Sequence, residues 1–167
     1  MMFTQWFPDP RFVHIADWTV GSGGSLTRWK SVRGIDLTTK ESSAYMTSPV
    51  FEAPAGQALN LVATVQVSDG ATPNLSWGYL LMLHDGSKPS SDASSIVASI
   101  RQVSDDHQVV RFTVPASGRL RLQGVAPKEQ GGQLKVSDLS IVSDAGLAWM
   151  RGNNQWWIHH ALMPLPR

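Results

Sequence analysis

Five side chains in this 167-residue chain combine stacking with planar hydrogen bonding: Trp77, Tyr79, Arg111, Arg121 and Gln123. An aromatic ring offers a flat apolar face, while guanidinium and amide groups offer donors and acceptors that fork onto neighbouring hydroxyls. That mixture suits a sugar, which has an apolar C–H face and a rim of hydroxyls. Whether the five meet depends on strand parity. With Leu120 and Leu122 turned inward, Arg119, Arg121 and Gln123 turn outward, and Arg111 turns outward beside an inward Phe112. With Leu80 and Met82 inward, Trp77 and Tyr79 also face out; the competing arrangement buries Trp77 and Tyr79 and sets Leu80 and Met82 against a second layer.

Other constellations have less to offer chemically. His84-Asp85-Gly86-Ser87-Lys88 holds an imidazole, a carboxylate and a hydroxyl, but no Gly-x-Ser-x-Gly elbow surrounds Ser87, and closeness in sequence is not triad geometry. Asp105 and Asp106 are adjacent, whereas a glycosidase pair flanks its substrate from opposite sides at about 5 to 9 Å. His159 and His160, as neighbours on a strand, point to opposite faces and need metal ligands from elsewhere. Cysteine is absent, which removes disulfides, thiolate metal sites and a thiol nucleophile. The expectation is a binding protein and not an enzyme.

The elements that must position these residues are strands. Val110, Phe112 and Val114 alternate with Arg111 and Thr113; Pro115 to Gly118 turns the chain; Leu120 and Leu122 follow; Gly131-Gly132 turns it again before Leu134, Val136, Leu139 and Ile141. Alternation of this kind gives each strand one dry face and one wet face, so a second sheet must cover the dry one. Upstream, Leu59, Leu61, Ala63, Val65 and Val67 mark a long strand, Leu26 to Val32 a shorter one, and Ser94 to Val103 another with Ile96, Ala98 and Ile100 in phase. Pro49 divides Tyr45 to Glu52 into an edge strand or two short pieces. Ser76 to Leu83 is apolar at almost every position, and Gly34 to Ser43 is polar and reads as a loop. Residues 1 to 18 form an extended arm whose aromatics are pinned around Pro8 and Pro10, and no helix of ordinary length is expected.

Composition agrees. Charged residues are 16%, against about 25% in an average domain, with Ser, Thr, Gly and Pro abundant. Lys plus Arg number 14 and Asp plus Glu 13, which leaves no electrostatic footprint for nucleic acid. No apolar run approaches the roughly 20 residues of a membrane helix, and MMFTQWFPDPRF lacks the basic and apolar regions of a secretory signal.

The order of signals resembles that of galactose-binding-like jelly rolls, the fold of many carbohydrate-binding modules. The matching pieces are FPDPRF followed by Trp18, then SPVFEAPAGQALNLVATVQV, then VVRFTVPASGRLRLQGV, then LKVSDLSIV with Asp138 at the usual acidic position; together they span residues 8 to 142. Domains of this type also occur in bacteriophage tail and baseplate proteins, which the segment from Gly146 resembles in flavour. The resemblance implies an antiparallel β-sandwich over residues 1–145 and an aromatic, Pro-containing tail over 146–167 packed on the domain or on a partner. It also implies non-catalytic binding of a carbohydrate or cell-surface glycan, with Trp77, Tyr79, Arg111, Arg121 and Gln123 as contacts, and a homo-oligomer or virion partner reached through the tail. Members often hold a structural calcium between an acid after the N-terminal Phe and the acid of the last strand. Here the first position is Val13, which leaves Asp138 and backbone carbonyls to supply the six to eight oxygens calcium wants. The alternative reading is a structural assembly protein that binds no sugar.

Overall fold

A computed structural model of the chain describes residues 2–29, 33–156 and 162–164, the backbone alone for 2, 3 and 162–164. In chain order the strands are β1 (Met2–Thr4), β2 (Thr19–Val20), β3 (Gly24–Trp29), β4 (Gly34–Thr39), β5 (Tyr45–Thr47), β6 (Phe51–Glu52), β7 (Ala58–Val67), β8 (Leu81–Asp85), β9 (Ile96–Ile100), β10 (Gln108–Thr113), β11 (Arg119–Val125), β12 (Gln133–Val142) and β13 (Leu162–Pro164). A single α-helix among the described residues, α1, spans Asp144–Gly152. All strand pairings are antiparallel. Five strands make one sheet in the order β10-β7-β12-β4-β3; six make the other, β2-β5-β11-β8-β9 with β6 also on β11. The result is the jelly-roll β-sandwich that the alternation requires. Among the described residues no helix is long and apolar enough to cross a membrane.

The core is built from the inward sides of both sheets. Leu59, Leu61, Ala63 and Val65 of β7 meet Leu81 and Leu83 of β8 and Leu120 and Leu122 of β11 in one continuous cluster. On β12 the inward positions are Leu134 and Val136, then Leu139 and Ile141. The step of three is accommodated by a bulge between Ser137 and Ser140, where Asp138 takes φ 51°; one extra residue on the strand restores the inward phase. Gly124 lets the two sheets approach: a Cβ there would lie 2.6 Å from Met46 Cε and 3.0 Å from Leu134 Cδ2. The N-terminal arm closes one end of the sandwich. Phe7 packs 5.7 Å from Phe12 and edge-on to Phe51 at 5.8 Å and Trp18 at 6.5 Å. The amides of Val13 and His14 donate to the Asp9 carboxylate, holding the loop that places Phe12.

Three expectations require correction. The polar stretch from Gly34 is not a loop but β4, the strand between β12 and β3; Ile35 and Leu37 are its only inward apolar residues, too few to declare a strand. Its buried Asp36 has a carboxyl pushed up by desolvation, against which the Trp29 side chain supplies a hydrogen bond. The apolar run from Ser76 is a strand only from Leu81, and the first alternative fails at Met82: Leu80, Leu81 and Leu83 join the core, while Met82 packs outside it with Tyr79 and Val125. The chain after Ser143 is helical. Ser143 caps α1 by accepting from the Gly146 amide at 3.1 Å, and Leu147 and Met150 bury themselves on Val62 and Val142, the outer face of the five-stranded sheet. Gly152 ends the helix and Asn153 caps it.

Candidate functional site

With α1 lying on the outer face of one sheet, the outer face of the other carries a cleft of about 610 Å³. Its floor comes from strand positions that parity turns outward. Tyr45 and Thr47 flank inward Met46 on β5, and Gln123 follows inward Leu122 on β11. Two loops make the walls. One holds Trp77 and Tyr79 and the other Ser90, Ser91 and Ala93, leading into Ile96.

Local chemistry explains how each wall is set. Asn74 accepts from the Ser76 amide at 3.0 Å, the Gly78 amide closes a turn onto the Leu75 carbonyl at 2.9 Å, and Gly78 takes φ 84°, a conformation that costs glycine little. That turn lifts Trp77 to 50% exposure. Its ring lies 5.9 Å from that of Tyr45, at 46°, so the two form a bent apolar platform. On the other side β9 pairs Ala98 with Leu83 but Ile96 with His84, so Val97 is an extra residue. The bulge re-aims Ile96 from the core to the cleft. Tyr79, only 5% exposed, packs with Met82 and Val125 beneath the platform, and burial pushes its phenol up to about 12.

The polar atoms of this face are unusual. Gln123 Oε1, His84 Nε2 and Arg121 Nε are buried without a hydrogen-bond partner among the described residues. His84 on β8 sits directly across from Arg121 on β11, and Gln123 is two residues further along the same strand face. His84 Nδ1 is 3.1 Å from the Asp85 carbonyl, which can only accept, so Nδ1 carries the proton and Nε2 presents a lone pair. Desolvation lowers the His84 pKa and keeps the ring neutral. A buried polar atom left unpaired costs about 1 to 3 kcal/mol, so these three positions weigh against the stability of the sheet.

Of the five contacts expected from sequence, the structure gathers four on this face. Trp77, Tyr79 and Gln123 line the cleft and Arg121 is beside it on β11. Arg111 is elsewhere. It lies on β10 at the edge of the other sheet, where it pairs with Asp144 at 3.0 Å and ties down the first turn of α1. Parity on a single strand could not reveal which sheet that strand would join. Asp138 does not fit a calcium site: its carboxylate meets Arg33 at 3.3 Å and His107 at 3.0 Å, and no cluster of three or more metal-ligating side chains exists among the described residues. His159 and His160 lie outside the described residues. In the His84 loop, Asp85 turns away from the imidazole and accepts from Ser87 and Ser117 hydroxyls, each at 2.7 Å; those bonds lower its pKa and order the loop. Sequence reasoning did not point to Tyr45 and Ile96, which also line the cleft. Tyr45-Met46-Thr47 carried the alternation that would have exposed Tyr45, whereas the flip of Ile96 left no sequence signal.

No family model matches the chain, and no curated protein matches it in sequence. Solved structures do. The enzymatically active domain of tailspike protein 4 of bacteriophage CBA120 superposes with a TM-score of 0.51 at 12% identity, over 83% of this chain and 21% of that one. The chain thus spans about a fifth of the length of that solved domain. A carbohydrate-binding module of Cellvibrio mixtus lichenase 5A, solved with cellotriose, gives 0.48 at 9% identity over 86% of this chain and 96% of that one. A xylan-binding domain from Paenibacillus barcinonensis gives 0.48 at 12%, over 85% and 92%. The chain is similar in fold to a phage tailspike domain and to carbohydrate-binding modules.

Proposed function

We propose that this protein is a non-catalytic carbohydrate-binding module that takes a cell-surface or polysaccharide glycan in the cleft on the outer face of the six-stranded sheet. The observation that carries the reading is the half-exposed Trp77 ring beside Tyr45, in a cleft also lined by Thr47, Ser90, Ser91 and Gln123. The rings take the apolar face of a pyranose, and the polar side chains of the lining take its hydroxyls. A glycan array probed with the purified chain and with Trp77→Ala tests this. Binding that the substitution abolishes or weakens supports the module; an array blank for both chains favours an assembly protein instead. Release of reducing ends from a bound polysaccharide would overturn the non-catalytic part.

A further inference from the structure

Resting on that reading, we infer that the cleft selects a neutral oligosaccharide with a methyl-bearing unit, a 6-deoxyhexose or an N-acetylhexosamine, and that Ile96 receives the methyl group. The cleft has two apolar ends. Tyr45, Trp77 and Ile96 are three of the seven large apolar side chains exposed among the described residues, and all three line it. Tyr45 and Trp77 form the aromatic platform, and Ile96 is remote from it. Tyr45 pairs with Val125 on β11, Arg121 lies four residues away along that strand, and the row continues from Arg121 through His84 to Ile96. Three strand spacings across and four residues along put the two ends about 20 Å apart at the backbone. One pyranose ring is too short to serve both, so the ligand has more than one unit.

The exposure of Ile96 is a built feature. It is in phase with Ala98 and Ile100, which are buried, and the bulge at Val97 turns it out of the core to 40% exposure in the cleft. The wall that carries it is held by its own polar groups. Asp92 accepts from the Ser94 amide and hydroxyl at 2.9 and 2.7 Å, and the Ser95 hydroxyl donates to the Asp92 carbonyl at 2.6 Å, which closes the short turn that places exposed Ala93 in the same wall. A hydroxyl seated on Ile96 and Ala93 would leave water and gain no bond, whereas a methyl group gains by leaving water. Between the ends, Ser90, Ser91, Thr47 and Gln123 offer hydroxyls and an amide to the remaining ring substituents. No lining side chain among the described residues is charged at neutral pH, the Tyr79 phenol being pushed up to about 12. A charged sugar therefore finds no counter-charge there.

The test is calorimetric titration of the full chain with disaccharides and trisaccharides that differ at one unit: L-fucose against L-galactose, L-rhamnose against L-mannose, N-acetylglucosamine against glucose. The N-formyl analogue, which keeps the amide without the methyl, and glucuronate complete the set. In at least one pair the methyl-bearing member should bind about fourfold tighter or better, as burial of one methyl group implies. The pair that shows the gain tells a 6-deoxyhexose from an N-acetylhexosamine; in the second case the N-formyl analogue should lose it. Ile96→Ser should bring the two members to within about twofold of each other, and Ile96→Val should keep most of the preference. Trp77→Ala should weaken both members alike and leave their ratio unchanged, because the platform is at the other end. Parent sugars that match or exceed their methyl-bearing twins in every pair would overturn the inference and leave the carbohydrate-binding reading intact. A preference that survives Ile96→Ser would overturn the assignment to Ile96, and glucuronate binding tighter than every neutral sugar would overturn the neutral ligand. An absence of binding across the whole panel would remove both readings together.

Discussion

Trp77 and Tyr79 are two residues apart yet answer to different physics, and substitution separates them. Trp77 is half in water and has little packing to lose, so Trp77→Ala should lower the unfolding free energy from urea titration by no more than about 0.5 kcal/mol while removing a stacking contact of about 1 kcal/mol, a several-fold loss of glycan affinity. Tyr79→Ala should cost about 3 kcal/mol of stability, because Met82 and Val125 pack against that ring. His84 gives a prediction in pH. Its folded pKa is depressed below the ordinary 6.5 by burial, so the unfolded chain binds the extra proton first. Stability is then fully present above about pH 6.5 and falls as pH drops from there toward the folded pKa. Urea midpoints between about pH 8 and 5 should decline for the wild type, whereas His84→Gln should flatten that decline; parallel curves would mean that His84 is not the titrating group. At this scale side-chain chemistry and parity pointed to Trp77, Tyr79 and Gln123, which the fold brings to one cleft. They could not show that Arg111, on an equally convincing alternating strand, joins the other sheet and spends its guanidinium on Asp144.

Among the elements, legibility followed the number of apolar residues in phase. β7 and β11 were plain because inward Leu and Val recur without interruption, and the bulge of β12 was visible as the step from Val136 to Leu139. β4 was hidden because Gly34, Asp36, Thr38 and Thr39 outnumber Ile35 and Leu37; neighbouring strands on both sides, not its own composition, hold it in place. The bulge of β9 was hidden for a different reason. Ile96, Ala98 and Ile100 keep perfect alternation, and only pairing with β8 inserts Val97 as the extra residue. The helix was shorter than the patterns that periodicity detects, yet its ends were signalled by Ser143 before it, Asp144 in its first turn and Arg151 in its last. Ser143→Ala should therefore cost about 1 kcal/mol, read as a lower urea midpoint, and Ser143→Asp should retain most of the capping. Equal losses in the two variants would show that the Gly146 bond is not the stabilising contact.

The sandwich of the molecule is two sheets with unequal outer faces, beside the small β1–β13 pair. The five-stranded sheet has its outer Val62 and Val142 covered by Leu147 and Met150 of α1, with Val109, Trp149 and Trp156 packed around them. Trp156 in turn stacks on His107 at 4.7 Å and 10°. Among the described residues the six-stranded sheet has no such cover over Tyr45, Trp77 and Gln123. The helix is thus part of what makes the sandwich stable in water, because without it an apolar patch would lie exposed on a flat sheet. A chain ended at Ser143 makes the dependence measurable. It should keep the β-rich circular dichroism of the sandwich, since the core cluster between the sheets uses no residue of α1. It should unfold at a clearly lower urea concentration, having lost two buried side chains worth about 2 to 3 kcal/mol each, and should bind a hydrophobic dye that the full chain does not. Glycan affinity, measured below the new unfolding midpoint, should be unchanged, because the cleft is on the opposite sheet. A truncated chain as stable as the original would refute the covering role of α1, and one that kept its fold but lost its glycan would refute the placement of the site.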